Sequence, residues 1–266
     1  MTSRKDVRLA DSRFAAGQFT PAPRASSPVA MLSAQSALEL KLLLRNGEQL
    51  LLTLFIPITL LIGLTLLPLG AMGDHPVDQV VPAVMMVAVM STAFTGQAIA
   101  VGFDRRYGAL KRLGATALPK WGIIAGKSTA VLSVVILQSV VLGAIGVGLG
   151  WRPALEGLLL GAIVIALGTV TFATMGLLLG GTLRAEIVLA LANILWFIML
   201  GIGSLVVLAD DLPMALHSVA RVVPSGALAE ALGQAVEGSW DWFGVAVLTG
   251  WAVLCGSMAV RTFRFV

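Results

Sequence analysis

The chain has 266 residues; 58% are hydrophobic, 12% are charged, and the mean hydropathy is +0.93. Soluble domains carry about 25% charged residues, so a water-soluble fold would lack the polar surface to cover its core, and lipid is the solvent for much of the chain. A net charge of +4 and a pI near 9.7 do not indicate nucleic-acid binding, because the basic residues are not interleaved with exposed aromatics; such an excess fits cytoplasmic loops facing anionic lipid.

Residues 1–28 are rich in Arg, Ser, Ala and Pro and hold no apolar run. That predicts a disordered cytosolic tail and no signal peptide. Residues 29–266 read as a single membrane domain. Its first part, 29–49, mixes leucines with Glu39, Lys41, Arg45 and Glu48, the pattern of a helix lying at the membrane interface. Six apolar stretches then follow, at about 50–70, 80–101, 122–149, 154–180, 186–209 and 242–262. Each is long enough to cross about 30 Å of hydrocarbon as a helix. The runs are continuous rather than alternating, which excludes a barrel. An all-α membrane protein with six transmembrane helices is expected.

Orientation follows from the basic residues. Sixteen of the 18 Lys and Arg fall in the N-terminal segment, the 102–127 stretch, the loop at Arg184 and the C-terminus. Only Arg152 and Arg221 fall on the other side, beside acidic residues that include Asp74, Asp78, Asp210, Asp211 and Asp241. This sorting places both termini in the cytoplasm. The long segment 210–241 is too apolar for a disordered loop. It predicts short helices folded against the outer face, broken at Pro213 and Pro224.

The stretch 102–127, GFDRRYGALKRLGATALPKWGIIAGK, carries six of the Lys and Arg residues between two apolar runs. As one helix it would align Phe103, Tyr107, Leu110 and Leu113 on one side, with Arg105 and Arg112 opposite and Asp104 and Lys111 on a flank. Charge alone would serve positive-inside anchoring, but that role does not require the apolar stripe.

Several signals carry less than they promise. GIIAGKST has three residues between Gly122 and Gly126, where a phosphate-binding P-loop needs four before its Gly-Lys; Lys127 is expected to snorkel to the headgroups. His217 and Ser225 sit in one external segment rather than on facing spans, so no protease centre is expected. Asp74, His75 and Asp78 make an exposed turn rather than a metal site. Cys255 is a lone residue inside an apolar run, which leaves no disulfide framework. The span centres hold no ionisable residue, which argues against an ion-coupled secondary transporter, the main alternative. Gln97, Gln138 and Asn193 are candidates to line a path through the membrane. Hydrogen bonding between helices is the other role open to them, and close packing is expected at the pairs Gly157/Gly161 and Gly176/Gly180.

Asp104, Arg105, Gly108, Leu110, Leu113, Thr116 and Gly126-Lys127 resemble the cytosolic loop of ABC-2 type transporter permeases, the bacterial drug, polysaccharide and lipid exporters. Arg106 stands where a second acidic residue is usual, and Ala117 where Pro is common. Arg45, Asn46 and Pro57 are similar to the family's elbow and first span. Pro213, Pro224 and Glu230-Ala231-Leu232 are similar to its outer-face segment. The resemblance implies a daunorubicin- or multidrug-exporter-like permease that is not itself an enzyme. A cytosolic coupling helix between spans two and three, formed by Phe103, Asp104, Arg105, Tyr107, Gly108, Leu110, Arg112 and Leu113, would seat in a separate ABC ATPase. It further implies a second permease copy or sister permease, ATP and Mg held by the ATPase, no cofactor on this chain, and a bacterial plasma-membrane location.

Overall fold

The computed structural model describes residues 26–67, 76–116, 118–208 and 213–263, and the regular secondary structure of these residues is helical throughout. The predicted tail 1–28 lies almost wholly outside the described residues, as do Asp74, His75, Ala117, Asp210 and Asp211. Helix α1 (Pro28–Arg45) starts where Ser27 Oγ accepts from Ala30 N at 3.2 Å and Pro28 takes the first helical position. It stops at Asn46, and α2 (Gly47–Leu66) follows with Pro57 inside it.

Next come α3 (Pro76–Val89), a π-helical turn (Met90–Gly96) and α4 (Gln97–Arg106), which run on as one rod, Pro76–Arg106. The order continues with α5 (Ala109–Gly114), α6 (Lys120–Gly148), α7 (Leu155–Thr182) and α8 (Ala185–Leu208). It ends with α9 (Met214–Val222), α10 (Pro224–Val236) and α11 (Trp242–Thr262).

Among the described residues, five helices are long and apolar enough to cross a membrane: the rod, α6, α7, α8 and α11. They coincide with the second to sixth predicted stretches. Helix α2 carries a shorter apolar stretch, Thr53–Leu66, at the place of the first. The rod outruns its predicted limits of 80–101 at both ends. Hydropathy marks only the part of a helix that lipid covers, while backbone hydrogen bonding carries the helix on through Asp78 and Asp104.

The rod lies at the centre of the core, with Val80, Val81, Val84, Met86, Val89 and Met90 almost fully buried. Helix α7 reaches it through glycines. A Cβ on Gly176 would lie 2.7 Å from the Phe94 carbonyl oxygen, and one on Gly180 would clash with that of Ala98. Gly157 likewise meets the Val236 carbonyl oxygen of α10 at 2.9 Å, whereas Gly161 faces open space. The expected close packing therefore holds at three of these four glycines.

Helix α10 departs from expectation. Pro213 and Pro224 do precede and open helices, but α10 is not laid on a face of the bundle. It is inserted among α3, α7, α8 and α11, with Pro224–Ala229, Ala231, Leu232 and Ala235 all buried. Small side chains permit the insertion: most of its buried positions are Ala, Gly or Ser, so neighbouring helices close around it. Helix α9 stays outside, with Met214, Leu216, Val219 and Val222 exposed.

Candidate functional site

The basic stretch leaves the rod at Arg106. Gly108 has φ +72°, ψ 14°, a left-handed conformation that residues with a Cβ seldom adopt. This turn ends α4 and re-aims the chain into α5, so the single helix expected over 103–113 is two. The apolar stripe is split with it. Leu110 is fully buried among Val101, Ile123, Leu177 and Phe263, and Leu113 packs half-buried against the same cluster. Leu110 thus serves the chain's own core, and Leu113 leans on that core with part of its surface still exposed. Outside remain Tyr107, 70% exposed, with the Phe103 ring 5.9 Å away, and exposed Lys111 and Arg112 on α5.

Charges brace this bend from behind. Lys127 Nζ lies 2.8 Å from Asp104 Oδ2 and 2.9 Å from Glu39 Oε2, and its side chain is 4% exposed. Gln35 Nε2 donates to the other Glu39 oxygen at 2.8 Å. Gly126 lets α1 come this close, since a Cβ there would lie 2.5 Å from Gln35 Cγ. Lys127 therefore ties α1, α4 and α6 together instead of snorkelling to headgroups, because two carboxylates from other elements reach its ammonium within the protein. Arg105 donates to the Leu183 carbonyl oxygen, and Arg106 pairs with Glu186 at the start of α8. Lys120 Nζ donates to the Phe263 carbonyl oxygen at 3.4 Å. The residues that charge sorting assigned to one side of the membrane thus meet at one end of the bundle.

Of the polar span residues, two are brought together. Gln138 Oε1 accepts from Thr92 Oγ1 of the π-helical turn at 3.0 Å, and its Nε2 donates to the Thr53 carbonyl oxygen of α2 at 3.0 Å. Gln97 is buried beside them, lining with Thr53 and Thr92 a cavity of about 20 Å³. Asn193 is elsewhere, exposed on α8 with its Nδ2 donating to Leu189 O at 2.7 Å. At the far end of the bundle His217 Nε2 lies 3.5 Å from Glu230 Oε2, and Ser225 is fully buried within α10. Arg221 and Asp241 pair at 2.5 Å.

Among the described residues, the bend is a basic knob carrying Tyr107 beside Phe103, tied by ion pairs to α1, α6 and α8. The family model described as ABC-2 type transporter matches residues 33–235, most of the chain and every residue named at the bend except Phe263. A comparison with curated proteins finds none that matches.

Proposed function

Since the chain belongs to the ABC-2 type transporter family, we propose that it is the membrane-spanning permease of an ATP-driven exporter whose ATP is hydrolysed by a separate subunit. In this reading α2, the rod, α6, α7, α8 and α11 make six spans, and both termini are cytoplasmic. The cytosolic end is the one that holds Asp104, Lys127 and Glu186. Tyr107, Lys111 and Arg112 enter a groove of the ATPase, with Phe103 beside them. Asp104, Arg105 and Gly108 fix the angle of the bend, and Leu110 and Leu113 anchor it to the permease. ATP and Mg belong to the partner, and no cofactor is assigned to this chain. The cargo is an amphipathic or apolar molecule such as a drug or lipid, moved out across a bacterial plasma membrane by a pair of permeases. Gln97 and Gln138 line the polar seam nearest its path.

The observation that carries the reading is the exposure of Tyr107, Lys111 and Arg112 on a bend whose base is locked by the buried Lys127 pairs. A docking element must be accessible at its tip and rigid at its root, so that force applied by a partner moves the attached helices. Purification of a tagged copy from its own host is expected to bring an ABC ATPase with it. The permease freed of that partner should neither bind nor hydrolyse ATP. Nucleotide binding by the isolated chain, lost in Lys127→Ala, would overturn the division of labour.

Orientation has its own test. In a Cys255→Ala background, single cysteines at Lys111 and Arg184 should resist a membrane-impermeant thiol reagent in intact cells, and cysteines at Arg152 and Ser239 should react. All four positions are exposed, so accessibility to the reagent reads membrane side rather than burial. Labelling of position 111 from outside would reverse the topology.

A further inference from the structure

A cavity of about 320 Å³ opens on the side of the bundle between α6 and α7. That is at the lower end of ligand-sized cavities, about 300–1,000 Å³. Gly143 and Ala144 of α6 and Gly161 and Ala162 of α7 form its walls, and Leu232 and Val236 of the inserted α10 form its floor. The walls are low because their residues are small, while Ile136, Val140 and Leu158 stand exposed around the mouth. These side chains are apolar, and only the Ser139 hydroxyl and the Trp151 indole add polar groups to the lining, so most of the cavity has little to hold water in place. Its mouth is rimmed by exposed apolar side chains, and neither Gln97 nor Gln138 of the polar seam is part of its lining.

Its end away from Lys127 is closed by Trp151, and the next residue, Arg152, is exposed. Arg152 Nη1 donates to the Val147 carbonyl oxygen at 2.7 Å and to that of Trp151 at 3.0 Å. Val147 lies one helical turn beyond Gly143 and Ala144 on α6. These bonds hold the guanidinium at the head of the groove, and the fork geometry leaves its remaining N–H groups for an anion. An apolar slot open to lipid, with a fixed cation where headgroups begin, matches the two ends of one molecule.

We propose that this groove is a binding site for a phospholipid, with an acyl chain lying between α6 and α7 over α10 and the phosphate against Arg152. On the orientation given above, which this placement rests on, the lipid belongs to the outer leaflet. Because α10 forms the floor and also packs against α3, α8 and α11, the bound chain would brace the inserted helix from its one open side. The site is separate from the surface assigned to the ATPase.

The glycines supply the test. A Cβ on Gly161 meets nothing within 4 Å, and one on Gly143 makes only ordinary contacts at 3.8 Å with Met85 and Trp151. Gly161→Leu therefore fills the slot without moving backbone, and leucine is the better helix former. Gly63→Leu on α2, where a Cβ also meets nothing within 4 Å, is the matched control. Purified protein in nanodiscs of phosphatidylglycerol would be photolabelled with a phosphatidylglycerol carrying a diazirine on its acyl chain, and the labelled peptides mapped.

Labelling of wild type and Gly63→Leu should concentrate on 136–165, well above that on the lipid-facing part of α8 around Phe197. Gly161→Leu should lower it several-fold, and Arg152→Ala should lower it with phosphatidylglycerol as the probe. Labelling of 136–165 no stronger than that of α8, or unchanged in Gly161→Leu, would overturn the site. So would a change in the oligomeric mass of Gly161→Leu, which would give the groove to a second copy. Since no ATPase is present, failure here leaves the transporter reading untouched.

Discussion

Lys127→Met is expected to destabilise the protein by about 3–5 kcal/mol, the usual effect of removing one partner from a buried ion pair. The loss comes less from the missing attraction than from Glu39, which would stay charged with only 10% of its side chain exposed. Asp104 is 38% exposed and can be hydrated in place, which pulls the expected value toward the lower end. Thermal unfolding followed by monodispersity in mild detergent would show a lower midpoint for Lys127→Met. Adding Glu39→Gln should then recover most of the loss, because the amide keeps hydrogen-bonding capacity toward Gln35 without a stranded charge. Strictly additive losses in the double variant would mean that the two side chains do not depend on each other.

Leu110→Ala is the second large effect, and its character separates two roles that a helical projection cannot. Leu110 is fully enclosed by residues of α4, α6 and α7 together with Phe263. Its truncation should cost about 2–5 kcal/mol of permease stability through lost burial and the cavity left behind. ATPase affinity of the surviving folded protein should change little. A variant with wild-type thermal stability and weakened ATPase binding would instead place Leu110 in the partner's groove.

Spans are legible because lipid demands long uninterrupted apolar runs, and the gathering of basic residues at one end of the bundle because Lys and Arg are sorted between loops. The break at Gly108 is not, since Phe103, Tyr107, Leu110 and Leu113 keep helical spacing whether or not the backbone turns between them. Periodicity names a face but not what covers it, so the spacing of Leu110 fits a docking stripe and a core position alike, and only the fold shows that Leu110 is buried in the chain's own core.

The sequence hides the role of Lys127 for a related reason. Its carboxylates lie 88 and 23 residues away in sequence, and only the fold brings them to one ammonium. The same holds for Gln138, whose partners Thr92 and Thr53 lie on two other elements. Helix α10 did leave a trace, because the Ala- and Gly-rich run PSGALAEALGQAV marks a helix that neighbours can approach closely. Length and prolines pointed only to a short helix, and small side chains decided where it went.

In the proposed function the tip of the bend docks the ATPase. The most direct measurement is the affinity of the purified ATPase for permease in nanodiscs, with wild type compared with Tyr107→Ala, Arg112→Glu and the two combined. Tyr107 is exposed and aromatic, the kind of side chain that dominates interface energetics, so its truncation should cost about 1–3 kcal/mol of association. Arg112→Glu should weaken binding most at low salt, where charge complementarity is least screened. Thermal stability should stay at the wild-type level in all three, because both side chains lie outside the core. Wild-type affinity in the combined variant would place the docking surface elsewhere on the permease.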